Sequence, residues 1–426
     1  MNHHADESRR RFLKASVSAG AALTAPMFVP SVVLGRDGGT AASEEIRVGV
    51  IGTGNRARQL MGQLPAPGKV VAISDCYTQK MLDAEEKLQA EFSKYNDYLE
   101  MFEKEQLDAV IIGTPDHGRS LPCIRACQAG LDVYAEKPLT AYIQEGREVV
   151  NAARQYDRVF QVGTQQRTMD LNRFCCDLVR TGGLGDIQVV QAVNYTGPQK
   201  YPGIAEIPEE PIPEGDNWDM WCGPTELRPF NKDLQFHWMQ WWDYSGGEMT
   251  NWGAHGVDQI QSALGKSFTG PRELWPVTPG SDGKVSMKYA DGTLVRFELD
   301  AGPMGGAIFT GTKAKMEINR NRFATNPADF VRDAPDPEPQ KKWDTADWMA
   351  GPHLANWLDC IKTRNKPNAD VEIGHRSISV CHLVNITREL GRKLTWDAET
   401  EQFENDDEAN KLLRRPRREG YELPTA

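Results

Sequence analysis

The sequence predicts an α/β chain in two parts: a doubly wound parallel sheet, then an α+β domain on a mostly antiparallel sheet. Three observations carry this. A β-branched run, Ile46–Ile51, leads straight into Gly52-Thr53-Gly54-Asn55-Arg56-Ala57 and a helical pattern. Strand and helix patterns then alternate as far as Gly163. Beyond Gln165 the alternation gives way to short strands paired around tight-turn signals.

The chain has 426 residues, room for two or three domains at about 150 residues each. With 39% hydrophobic and 26% charged residues it is neither a disordered chain nor a multi-span membrane protein. The net charge of −11 argues against a nucleic-acid partner. The 8 cysteines include no CxxC pair and no histidine at zinc-finger spacing, so no metal site is expected. Cys123 and Cys127 share one helix face, and the set reads as small buried hydrophobes.

The N-terminus is an address. Ser8-Arg9-Arg10-Arg11-Phe12-Leu13-Lys14 has the form of a twin-arginine export signal. The apolar stretch after it, to about Leu34, is broken by Pro26 and Pro30 and is a poor membrane anchor. Residues 1–43 are therefore expected to be signal and linker, and the mature protein periplasmic or otherwise exported.

Each element of the first domain, residues 44–165, follows in order. Gly52 allows a tight turn after the first strand, Gly54 lets a pyrophosphate approach, and Ala57 is small enough for helix-on-strand packing. The helix amides at Asn55 and Arg56 face the phosphate charge. A second strand, Val70–Ser74, ends at Asp75, placed to accept ribose hydroxyls and repel a 2′-phosphate, so NAD is expected over NADP. A helix at Met81–Phe92, a strand at Asp108–Gly113, a helix at Leu121–Ala129 and a strand at Asp132–Ala135 continue the pattern. A helix at Ile143–Gln155 and a strand at Val159–Gly163 complete it. Thr114, Pro115, His117, Glu136, Lys137 and Gln165 sit at carboxyl ends of strands, where such sheets bind ligands. With Thr53, these are the expected cofactor-binding residues.

In the second domain, residues 166–426, Leu171–Arg180 reads as a helix and Ile187–Tyr195 as a strand. Val285–Tyr289 and Thr293–Leu299 flank Asp291-Gly292, a hairpin signal; Ala307–Thr310 and Lys315–Ile318 form a second pair. Asn326–Lys342 reads as a Pro- and Asp-rich loop, and Leu354–Lys362 and Ser377–Arg388 as closing helices. Asn251 and His255 are four apart and share a helix face. A neutral His255 can accept a proton from an alcohol.

Gly52-Thr-Gly54, Thr114-Pro-Asp-His117, Glu136-Lys-Pro138, Gly163-Thr-Gln-Gln-Arg167 and Gly246 through Asp258 stand in one order. With the export signal, they resemble the glucose–fructose oxidoreductase / inositol dehydrogenase (Gfo/Idh/MocA) family. The resemblance runs from about Glu45 to the C-terminus. It implies a Rossmann domain followed by a domain on an open sheet, and oxidation or reduction of a sugar or polyol hydroxyl with NAD or NADP. It implies that Lys137 hydrogen-bonds the reacting hydroxyl and that His255 shares its proton. The family usually has Asp where this chain has Asn251, which is expected to orient the His255 imidazole by a hydrogen bond; an Asp there is expected to favour imidazolium, so Asn251→Asp should speed proton abstraction. Arg167, Trp242, Tyr244 and His255 are the candidate substrate contacts. An exported enzyme has little free NAD to exchange, so the cofactor is expected to be retained. The alternative function is a redox-neutral NAD-dependent glycosidase, whose extra base would be Tyr244, His255 or Asp258. A third is a non-catalytic sugar-binding protein. A homo-oligomer, dimer or tetramer, is expected through the open sheet face.

Overall fold

The computed structural model describes residues 44–201, 207–336 and 350–424; the twin-arginine segment lies outside the described residues. The first domain holds β1 (Ile46–Ile51), α1 (Asn55–Gln63), β2 (Gly68–Ser74), α2 (Thr78–Leu88), β3 (Ser93–Tyr95) and α3 (Tyr98–Lys104). It continues with β4 (Ala109–Ile112), α4 (Ser120–Gln128), β5 (Asp132–Ala135), α5 (Ile143–Gln155) and β6 (Phe160–Val162). The six strands are parallel in the order β3-β2-β1-β4-β5-β6. All four residues of β4 and of β5 are buried, because helices cover both faces of such a sheet. The strand order reverses between β1 and β4, which opens a crevice above their carboxyl ends.

Two elements of the first domain were not expected, β3 and α3. β3 is three largely exposed residues on the sheet edge, without an apolar run. α3 is announced only by Asp97, whose side chain accepts from Leu99 N.

The second domain adds α6 (Asp170–Arg180), β7 (Ile187–Val193), short helices α7 (Trp218–Cys222) and α8 (Lys232–His237), and α9 (Gly247–Ala263). β8 (Glu273–Pro276), β9 (Val285–Lys288), β10 (Leu294–Leu299), β11 (Ala307–Gly311), β12 (Lys315–Asn319) and β13 (Arg322–Asn326) follow. α10 (Gly351–Thr363), α11 (Val371–Leu390), β14 (Leu394–Asp397), β15 (Gln402–Phe403) and α12 (Asp407–Lys411) close the chain. Among the described residues its nine strands run β13-β12-β11-β7-β10-β9-β8-β14-β15, with β7–β10 the one parallel pairing. The expected hairpins pair Leu294 with Lys288 and Ala307 with Ile318. The expected loop from Asn326 follows directly on β13, whose residues alternate exposed and half-buried up to Asn326.

α9 packs on α6 and α11, and α11 also packs on α5 of the first domain. Val257, Ile260, Val380, Leu383 and Val384 thus share one core with Phe297 and Phe309 of the sheet and Val149 of α5. Each such side chain contributes about 1.5–3 kcal/mol. α11 starts at Asp370, whose carboxylate accepts from Glu372 N, and stops at Gly391. All 8 cysteines carry free thiols, and Cys76 alone is not fully buried. Among the described residues no helix is long and apolar enough to cross a membrane.

Candidate active site

One cleft of about 550 Å³ runs over the crevice. Gly52, Gly54, Asn55, Arg56, Asp75, Thr114, Pro115, His117, Glu136, Lys137 and Gln165 line it from the first domain, and Asn251 and His255 from the second.

The glycine loop is built as its spacing predicts. Gly52 has φ 79, and a Cβ there would lie 2.9 Å from Thr114 N. A Cβ on Gly54 would meet nothing within 4 Å, so that position opens onto the cleft at the start of α1. Among the described residues no side chain caps α1, which leaves its first amides to a ligand. Asp75 stands at the end of β2, where Oδ2 accepts from Thr53 N at 2.7 Å and Thr53 Oγ1 at 3.0 Å, and Oδ1 from Tyr77 N at 2.9 Å. Thr53 therefore acts behind the cleft wall, fixing the carboxylate. Thr114 Oγ1 is buried on the cleft wall and makes no hydrogen bond among the described residues. Open glycine backbone, uncapped amides, a fixed carboxylate and a waiting hydroxyl fit a dinucleotide.

His117 lines the cleft and is also tied to the second domain. Its Nε2 donates to the Trp221 carbonyl at 2.7 Å, and its ring stands edge-on to Trp221 and Tyr244 at 4.9 Å each. Burial holds it neutral, pushing it down to about 3. It joins the two domains at the cleft edge.

At the other end, buried Glu136 accepts from Arg56 Nε at 2.8 Å and Gln165 Nε2 at 3.1 Å. Burial alone would raise its carboxyl; Arg56 and Lys137 hold it below the ordinary value. Gly163 makes room for it, since a Cβ there would lie 2.9 Å from the Glu136 carboxyl carbon. Lys137 Nζ donates to Asn251 Oδ1 at 2.6 Å. Burial brings the amine down to about 8, against the upward pull of Glu136 and Asp116. His255 is 4% exposed, and its Nδ1 has no hydrogen-bond partner among the described residues. Burial, then Arg320, Lys137 and Arg56, push its imidazole well below the ordinary value.

Three expectations change. Asn251 holds Lys137, while its amide donates to Glu248 Oε2 at 3.2 Å; its carboxamide does not orient His255. Arg167 lies outside the cleft, where Nε donates to both carboxylate oxygens of Asp258 at 2.8 Å, a structural ion pair. Tyr244 is fully buried with its hydroxyl accepting from Arg228 at 3.2 Å, and Trp242 lies beside a separate small cavity. The tryptophans that do line the cleft are Trp221, Trp238 and Trp252, together with Tyr77 and Tyr98. Sequence reasoning passed over Arg320 and Tyr421, which also line it. Arg320 sits in the polar turn Asn319-Arg-Asn-Arg322, which reads as solvated.

The fold and the cleft define a dinucleotide-binding protein of the oxidoreductase class. Residues 46–164 match the oxidoreductase-family model for an NAD-binding Rossmann fold, and residues 175–423 match that family's C-terminal alpha/beta domain. The chain belongs to the Gfo/Idh/MocA oxidoreductase family. Among curated relatives, inositol 2-dehydrogenase of Leifsonia xyli subsp. xyli is 33% identical over 113 residues, 26% of this chain and 33% of that one. The 2,7-anhydro-N-acetylneuraminate hydratase of Mediterraneibacter gnavus is 24% identical over 105 residues, 25% of this chain and 28% of its own length. The matched segment thus spans about a third or less of either relative. Among solved structures, the WlbA dehydrogenase of Bordetella pertussis, in complex with NADH and UDP-GlcNAcA, is similar with a TM-score of 0.61 at 17% identity. That likeness covers 83% of this chain and 98% of the other, and shows the shared fold.

Proposed function

We infer that the protein is an NAD-dependent oxidoreductase acting on a hydroxyl of a sugar or polyol. The observation that carries this is one continuous cleft with the Gly52–Ala57 loop and Asp75 at one end and Lys137 and His255 at the other. A nicotinamide dinucleotide bound there would accept the hydride from the carbon bearing the hydroxyl. Asp75 would take the ribose hydroxyls and disfavour a 2′-phosphate, supporting NAD over NADP. Lys137 is the proton acceptor: its amine, at about 8, lies near neutrality, where a general base works best. Asn251 accepts one amine hydrogen and so aims the lone pair without adding charge. His255 stays neutral and hydrogen-bonds the hydroxyl, since burial and then the Arg320 and Arg56 guanidiniums oppose its imidazolium. The names of the inositol dehydrogenase and WlbA relatives support a sugar-like substrate.

The Ser8–Lys14 segment supports export by the twin-arginine route, and with it a retained cofactor. Dimer or tetramer formation belongs to the same reading; light scattering on purified protein tests it. The redox-neutral glycosidase is the second reading, and the hydratase name of one relative favours it. Of its three candidate bases only His255 lines the cleft, because Asp258 is paired with Arg167 and Tyr244 is buried.

The test is to denature protein purified without added nucleotide, identify what is released, and then follow nicotinamide absorbance with sugars, polyols and aryl glycosides. NAD(H) released and NADH formed with a polyol or aldose is the expected result. NADP released overturns the assignment of Asp75; aglycone release without NADH accumulation replaces the first reading with the second.

A further inference from the structure

The cleft has one wall that neither the glycine loop nor the reacting groups explain. Tyr98, Leu121 and Pro122 form it from the first domain, Met220 and Pro224 from the second, and Tyr421 from the C-terminus. In a sheet of this order the pyrophosphate lies on the glycine loop and the acid after the second strand takes the adenosine ribose. Lys137 and His255 mark the nicotinamide end. The adenine therefore belongs past Asp75, on the side of edge strand β3, where Tyr98 opens α3. Tyr421 is close enough to act on the Tyr98 phenol.

Tyr421 arrives on a tail that the core does not use. After Leu413 no side chain as far as Pro424 is fully buried, and none of these residues joins a strand. Side chains hold the tail instead. Arg415 Nε donates to Glu145 Oε1 of α5 at 2.8 Å, and its other nitrogens donate to the carbonyls of His117 at 2.8 Å and Asp243 at 3.0 Å. Arg418 Nη2 donates to the carbonyls of Asp219 at 2.9 Å and Gly223 at 3.0 Å, and the Arg418 N–H to Pro224 O at 3.1 Å. Tyr421 N donates back to Arg418 O at 3.0 Å, a turn that uses φ 84 at Gly420. The Tyr421 hydroxyl donates to Asp219 Oδ1 at 2.8 Å, and the Arg418 guanidinium lies 4.7 Å from its ring centroid. Three of these partners, His117, Gly223 and Pro224, line the cleft themselves.

We propose that residues 415–421 are a latch on the bound dinucleotide, with the Tyr421 ring as a wall of the adenine pocket. This rests on the dinucleotide reading of the cleft. A purine gains from contact with an aromatic side chain through its π-face. The Arg418 guanidinium and the bond to Asp219 hold the ring in place before the base arrives, so little ordering is left to do on binding. The tail is tied to His117 and Glu145 on one side and to Asp219, Gly223 and Pro224 on the other. Moving it aside breaks several hydrogen bonds together, which slows release.

The test loads the whole chain with NADH and follows the loss of its fluorescence after mixing with excess NAD. AMP and nicotinamide mononucleotide, titrated calorimetrically, report the two halves separately. Tyr421→Ala is expected to speed NADH release about 10- to 100-fold, the range for one base on an aromatic side chain. It weakens AMP by a similar factor and leaves nicotinamide mononucleotide as it was. Tyr421→Phe keeps the ring, loses the bond to Asp219, and speeds release less than Tyr421→Ala does. A tail with a structural part alone would lower the Tm of the nucleotide-free protein and weaken both half-probes alike, which overturns the proposal. So does release at the native rate from Tyr421→Ala. If the native chain binds neither NADH nor AMP, the dinucleotide reading itself falls, and the latch with it.

Discussion

Asn251→Asp is the substitution on which the proton route turns. It places a carboxylate oxygen where Oδ1 now sits, 2.6 Å from Lys137 Nζ. An opposite charge at such range raises a lysine by about 1–3 pKa units. Lys137 would therefore move from about 8 to roughly 9–11. At a pH of about 7.5 its proton-accepting fraction would fall roughly tenfold at the low end of that range and several hundredfold at the high end. The assay is single-turnover reduction of bound nicotinamide as a function of pH. In the native protein the rate rises with pH through about 8, because the deprotonated amine is the active form. In the variant the same rise moves to alkaline pH, and the plateau above it is kept. An unmoved midpoint, or a faster reaction at neutral pH, would refute the reasoning and return residue 251 to His255. The family spacing alone favours that second outcome; the observed hydrogen bond favours the first.

Lys137→Met is expected to abolish turnover and keep the cofactor. It should also raise Tm below about pH 8, since the buried ammonium costs stability there, and the gain shrinks as pH climbs through the ordinary lysine range. A lower Tm contradicts this. Asp75→Ser should weaken NAD binding about 10- to 100-fold, by the loss of charged hydrogen bonds; calorimetric titration that finds native affinity removes Asp75 from the ribose site. Arg167→Gln strands Asp258 in the core, so chemical denaturation should show a loss of about 3–5 kcal/mol. A variant of native stability with impaired substrate binding would restore the sequence-based role for Arg167.

Much of the fold was legible because its physics is local. Ile46–Ile51 and Ala109–Ile112 are buried runs, and Gly52 sits where only a left-handed turn connects strand to helix. β3 escaped notice because three exposed edge residues carry no hydrophobic period. In the site, Asp75, Glu136 and Lys137 were legible because strand ends in such a sheet must point into the crevice. Arg167, Trp242 and Tyr244 lie close in sequence to site motifs, but neighbours in the chain do not fix where a side chain points. Asp258, Arg228 and core packing hold those regions away from the cleft. Asn251 was placed on the right face, yet its partner came from Lys137, more than a hundred residues earlier, a pairing that no helical spacing encodes. Arg320 was hidden for the same reason: the clamp that turns a polar loop into a wall of the site is Asn172, on a different element.

In the proposed reaction a carbon-bound hydrogen passes to a nicotinamide held beside Lys137. The most direct measurement supplies NAD-loaded protein with carbon-deuterated aldoses, polyols and sugar acids, then extracts the cofactor for mass spectrometry. Reduced nicotinamide heavier by one deuterium is expected in the native protein, and none in Lys137→Met. Substrate turnover with no deuterium in the cofactor pool would contradict it.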